Sequence, residues 1–189
     1  MLRKVFLSCL ILLILSHLES IRVFAQNEEL TLKEMCNQST DIVVAKIVAK
    51  NSYYSFDKKD VFTDVTLKVT KKIKGKFKTN EEIKIKTYGG TIDGITTLIV
   101  GGPSFQENTS SVYFFEEKKS TKTGKIENHR IVGFSQGKFD IIEEKNEKKV
   151  KRDSGFTRFV LDDSGESLDF SHGKSFSLDN FIQQITKHL

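Results

Sequence analysis

The chain has 189 residues, 38% of them hydrophobic, with 30 lysines and arginines against 25 aspartates and glutamates, a formal charge of +5, two cysteines and one proline. Such a mild positive excess is not the balance of a nucleic-acid or other polyanion binder, and two cysteines exclude a disulfide framework. The apolar fraction is ample for a packed core.

Arg3 and Lys4 precede an apolar run from Val5 to Leu15, and Val23-Phe24-Ala25 follows as a cleavage site. This pattern predicts a secretory signal peptide over 1–25, cut near Ala25, and an exported chain in the periplasm or outside the cell. Cys9 precedes most of the apolar run, unlike a lipoprotein acceptor. The run is shorter than the roughly 20 residues that span a bilayer, and no later one approaches that length, so no integral membrane segment is expected in the mature chain. Cleavage removes Arg3, Lys4, Arg22 and Glu19, leaving 164 residues of charge +3, expected as one domain, 26–189, with a single core. Cys36 is then a lone cysteine, expected as a small apolar helix residue.

Thr31 with Glu34 forms a capping box, with Leu30 and Met35 as its apolar staple, which predicts a short helix ending near Ser39. From Asp41 to Lys50 the period becomes two: Val43, Ala45, Ile47 and Ala49 share a face opposite Lys46 and Lys50. Asn51 to Asp60 reads as a loop or frayed strand extension carrying Tyr53, Tyr54 and Phe56. Val65, Leu67 and Val69 then alternate in a long strand that reaches Ile73 before Gly75.

Ile83, Ile85 and Thr87 open a strand from Glu82 to Ile92, bulged at Gly89-Gly90 and paired with Ile95 to Val100 through an Asp93-Gly94 type I′ turn. Five of the twelve glycines and the only proline, Pro103, lie between Thr87 and Phe105, which marks a corner where strands reverse. Ser111 to Glu117 is an apolar strand expected to pair with Ile131-Val132-Gly133-Phe134. Lys138 to Glu143 and Lys148 to Arg152 flank a polar hairpin tip. An irregular connection anchored by Phe156, Phe159, Val160 and Leu161 leads to a final helix. Ser177 is its expected cap, and Leu178, Phe181, Ile182, Ile185 and Leu189 form its apolar face. Six or more short strands at this spacing predict a mainly β fold, a barrel or a sandwich.

Ser39 to Ile47, the strand ending Lys72-Ile73-Lys74-Gly75, and Tyr113-Phe114-Phe115 together resemble the netrin-like module of tissue inhibitors of metalloproteinases. The resemblance implies an OB-like antiparallel barrel, closed or partly closed, with a helix at each end. Gly101 to Phe105 and Gly133 to Phe139 also resemble elements of small exported bacterial proteins without assigned activity. Those inhibitors chelate zinc through an N-terminal cysteine, whereas this mature chain would begin Gln26-Asn27.

Chemistry-bearing motifs are sparse. His129, His172 and His188 show no paired ligand spacing, so no metal site is expected. Gly133 to Lys138 has three residues between its glycines and Phe139 where a phosphate loop needs Ser or Thr. Asp162 to Glu166 lacks the alternating oxygen ligands of a calcium loop. Lys68, Lys71, Lys72, Lys74, Lys76 and Lys78 read either as an anion-binding edge or as a solvated edge that discourages strand pairing. The expectation is therefore a non-catalytic binding module without cofactor. Its partner is a protein or envelope polymer, not nucleic acid, met at a barrel rim drawn from Tyr53, Tyr54, Tyr88, Gly89, Gly90, Asp93, Gln136 and Lys138. The alternatives are a protease inhibitor working through a rim loop without zinc chelation, and an enzyme using Asp140, Glu143 and Glu144 in one cleft.

Overall fold

The structure, a computed structural model, describes residues 30–152 and 175–189. The expected signal peptide, the anchors Phe156, Phe159, Val160 and Leu161, the Asp162 to Glu166 turn and His172 lie outside these residues. Among the described residues, ten strands and two helices follow in order. Helix α1 is Leu32–Gln38. Strands β1 to β5 are Asp41–Tyr54, Val61–Lys74, Glu82–Tyr88, Gly90–Ile92 and Ile95–Thr97. Strands β6 to β10 are Ser110–Lys119, Ile126–Ile131, Lys138–Glu144, Glu147–Arg152 and Phe176–Ser177, and helix α2 is Leu178–Lys187.

The fold is mainly β, one antiparallel sheet of order β10-β9-β8-β6-β1-β2-β3 with β7 also paired to β6, and a separate β4-β5 hairpin. Strand β6 holds the arrangement together. Its first half pairs β8 from Ser110↔Ile141 to Tyr113↔Lys138, and its second half pairs β7 from Phe115↔Ile131 onwards. Along its other edge Ser110 to Phe115 pair with Lys46 to Asp41 of β1.

Because β1 and β6 are central, both of their faces are covered, and the apolar residues divide into two clusters set back to back. Ile42, Val44, Val112 and Phe114 pack with Phe139 and Val150 under the two helices, which contribute Met35, Cys36, Phe181 and Ile185. Val43, Ala45, Ile47, Tyr113 and Phe115 face the other way, into the curl of β1-β2-β3 and β7, against Val65, Leu67, Ile83, Ile85 and Ile131. The expected single core is thus two, and strands covered on both faces read as the continuous apolar runs 42–45 and 112–115. A bulge between Ile47 and Ala49 shifts the register of β1, so Ala49, expected inside, is exposed.

Local chemistry explains the ends of the elements. Thr31 Oγ1 accepts the Glu34 N–H at 3.1 Å and Glu34 Oε2 accepts the Thr31 N–H at 2.8 Å, closing the capping box of α1. Ser177 stands at the N-cap of α2 but makes no side-chain capping bond; its backbone pairs with Lys149 in the β10-β9 ladder. Of the two readings of Asn51 to Asp60, strand extension holds as far as Tyr54, where β1 ends, and residues 55–60 form the loop. Strand β7 ends at Ile131, so Val132, Gly133 and Phe134, expected as strand, fall with Ser135 to Gly137 in a turn.

The largest departure lies at Gly89-Gly90. Both residues have positive φ, +82° and +145°, and the chain leaves the main sheet there instead of bulging within it. A Cβ at Gly90 would stand 2.2 Å from Thr63 Oγ1 and 2.4 Å from Ser52 Oγ, so only glycine fits. The hairpin beyond turns at Asp93 and Gly94, φ +50° and +78°, as a type I′ turn requires. Leu98, Ile99 and Val100 fall outside its strands.

Candidate functional site

Strand β3 is antiparallel to β2 and β2 to β1, while β7 is antiparallel to β6 and β6 to β1, so β3 and β7 run in the same sense. They come within 8 Å of each other between Cα atoms, yet no ladder joins them among the described residues. A groove of about 290 Å³ occupies this seam. Tyr88 and Lys86 of β3 form one wall, Arg130 of β7 and Phe134 the other, and Pro103 and Phe105 close it from the connection after β5.

Phe134 is held there against its own backbone preference. Its φ is +69°, a left-handed conformation that costs a bulky L-residue about 1–2 kcal/mol. The turn around it enforces the geometry: Gly133 O accepts the N–H groups of Ser135 and Gln136, and Val132 O accepts that of Gly137. Ser135 Oγ ties the turn to Gly101 O at 2.7 Å. A Cβ at Gly102 would lie 3.5 Å from Phe134 Cζ, so the ring passes over this glycine. Phe134 remains 41% exposed.

An aromatic row leads from the groove across the outer face of three strands. The cross-strand pairs Tyr53↔Phe62 and Phe62↔Tyr88 bring ring centroids to 6.2 and 4.8 Å. Lys86 Nζ sits 3.8 Å from the Phe62 centroid and 5.3 Å from that of Tyr53, so the row carries a cation on its face. Tyr53 Oη donates to Asp64 Oδ1 at 3.0 Å, which fixes the ring. Tyr88 stays 59% exposed.

Of the rim residues expected from sequence, Tyr53 and Tyr88 thus share one surface. Gly89 and Gly90 lie at its end, where they shape backbone, and exposed Tyr54 and Asp93 sit on the β1-β2 and β4-β5 hairpins. Gln136 and Lys138 do not join them. Gln136 is buried, its Oε1 accepting the Leu30 N–H at 2.7 Å and Arg152 Nη2 at 3.1 Å. Lys138 is also buried, with its ammonium on Asp140 Oδ1. Both tie the fold together through these partners. The three carboxylates do not converge: Asp140 is engaged by Lys138 and Ser111, Glu144 by Lys149 and Ser175, and Glu143 is exposed. Two of the six clustered lysines are committed to the protein, Lys74 to Cys36 O and Lys76 to Glu117.

A group that sequence reasoning missed lies midway along the β6-β7 pair, next in sequence to Glu116 and Arg130 of the groove. Asp41, Glu117 and His129 bring a carboxylate oxygen each and a ring nitrogen within 4.8 Å of one another. Burial, and then the nearby Lys76 ammonium, hold the His129 imidazole below its ordinary pKa of 6.5. Positions so far apart in sequence leave no spacing motif. The available signal was the strand register, since Glu117 and His129 are direct cross-strand partners.

Comparison with protein-family models, with curated proteins and with solved structures returns no match for this chain. Among the described residues no helix is long and apolar enough to cross a membrane.

Proposed function

We propose that this is an exported, non-catalytic binding module that holds an extended chain, a protein segment or an envelope polymer, along the aromatic row and into the β3-β7 groove. One observation carries the reading: the strained, half-exposed Phe134 at the groove, facing a strand that bears Tyr88 and Lys86. Backbone strain kept at a concave surface points to a role for that surface. Aromatic faces suit stacking against successive units of a chain, and Lys86 and Arg130 favour one that carries acidic groups.

The finer architecture we infer is a partly open OB-like barrel. Strands β1-β2-β3 and β6-β7 supply five strands in the order such a barrel uses, and the seam between β3 and β7 is its opening. The signal-like first 25 residues support export.

The test is co-sedimentation of the purified 26–189 chain with isolated cell-envelope fractions. Saturable binding is expected, weakened about tenfold by Tyr88→Ala and by Arg130→Ala, since one base-like stacking contact is worth roughly 1–3 kcal/mol. Thermal midpoints should stay unchanged, because both side chains are exposed. Binding that is absent, or as tight in both variants as in the wild-type chain, overturns the reading.

A further inference from the structure

The group at Asp41, Glu117 and His129 has a composition that hydrogen bonding alone leaves incomplete. Three adjacent strands deliver it: Asp41 opens β1 opposite Phe115, and Glu117 and His129 face each other across β6 and β7. The turn after β2 covers it. Asp41 Oδ1 accepts the backbone N–H groups of Lys76 at 2.6 Å and Phe77 at 3.3 Å, which fixes the carboxylate. Both bonds fall on Oδ1. The Phe77 ring stands edge-on to His129, centroids 4.9 Å apart, and walls the site from one side.

Glu117 is paired with the Lys76 ammonium, and the turn is satisfied by Asp41. What this network leaves over is the imidazole. His129 Nε2 is buried and has no hydrogen-bond partner, and an unpaired buried polar atom calls for an explanation. A ring nitrogen also lies within 4.8 Å of an oxygen of each carboxylate.

We propose that Asp41, Glu117 and His129 bind a divalent transition-metal ion of the zinc class, in competition with the Lys76 ammonium for Glu117. One neutral imidazole and two carboxylates form an N,O donor set suited to such an ion and neutralise its two charges. Three protein ligands leave a coordination position for water or another donor. The backbone bonds to Asp41 orient its carboxylate as outer-shell contacts do at metal centres. Lys76 is half-exposed at the end of a flexible side chain, so it can swing into solvent when the ion enters.

The experiment titrates the 26–189 chain at pH 7 with Zn²⁺ by calorimetry and with Co²⁺ by visible absorption. One equivalent per chain is expected, with the absorption of a four- or five-coordinate Co²⁺ ion. His129→Ala and Glu117→Gln each remove a ligand and should weaken binding by at least about tenfold, since loss of an outer-shell contact alone costs about that much. Lys76→Met should tighten it by removing the competing cation. In the wild-type chain, Zn²⁺ should shift the ¹⁵N resonance of the His129 imidazole, a readout that holds even if a variant fails to fold. No binding at millimolar metal, binding indifferent to His129→Ala and Lys76→Met, or an unmoved His129 resonance each overturns the proposal.

Discussion

Cys36 shows how burial sets the chemistry of one side chain. It is fully buried between α1 and the second helix, with Sγ 4.0 Å from Ile185 O, and desolvation pushes its thiol up to about 12 despite the pull of Lys74. The thiolate is the reactive form, so the native protein should resist a thiol reagent at pH 8. Labelling by a chromogenic disulfide should follow the rate of global unfolding and become immediate in denaturant. Fast labelling of the folded chain would contradict the packing. Composition foretold an apolar role for this cysteine, whereas Gln136 and Lys138 read as rim groups and proved to be interior ties. A glutamine or lysine has the same sequence signature exposed or buried. Only its partners, Leu30 N–H and Arg152 for one and Asp140 for the other, decide.

At the scale of elements, the two hairpin glycines separate conformational need from crowding. Gly94 has φ +78° with open space around its Cβ position, whereas Gly90 has φ +145° and would drive a methyl into Thr63 and Ser52. Gly94→Ala should cost about 1–2 kcal/mol from the left-handed backbone alone. Gly90→Ala should cost on the order of 3 kcal/mol or more, since strain and overpacking add. Urea denaturation of the two variants measures the difference. The capping box of α1 and the Asp93-Gly94 turn were legible because their partners lie within four residues. The break at Gly89-Gly90 was not, because the hydroxyls that crowd it sit on β1 and β2. Nor was the bulge that exposes Ala49, since register is set by the partner strand.

For the whole molecule the decisive feature is that β1 and β6 are covered on both faces. Adjacent residues Phe114 and Phe115 enter different cores, the first against Phe139 and Phe181, the second stacked on Tyr113 at 5.5 Å. Phe114→Ala and Phe115→Ala should therefore each cost about 3–5 kcal/mol, where a half-buried strand would tolerate one of the two. Thermal unfolding of both variants checks this. By itself the sequence determined the mainly antiparallel β character, helices α1 and α2, the Asp93-Gly94 turn and the apolar runs, because periods of 2 and 3.6 and local capping act over a few residues. The tertiary structure decided which strands meet, and with that the seam holding Phe134, Tyr88 and Arg130 and the approach of Asp41, Glu117 and His129. Those groupings depend on contacts between strands remote in the chain, and no local pattern of residues encodes the distance between them.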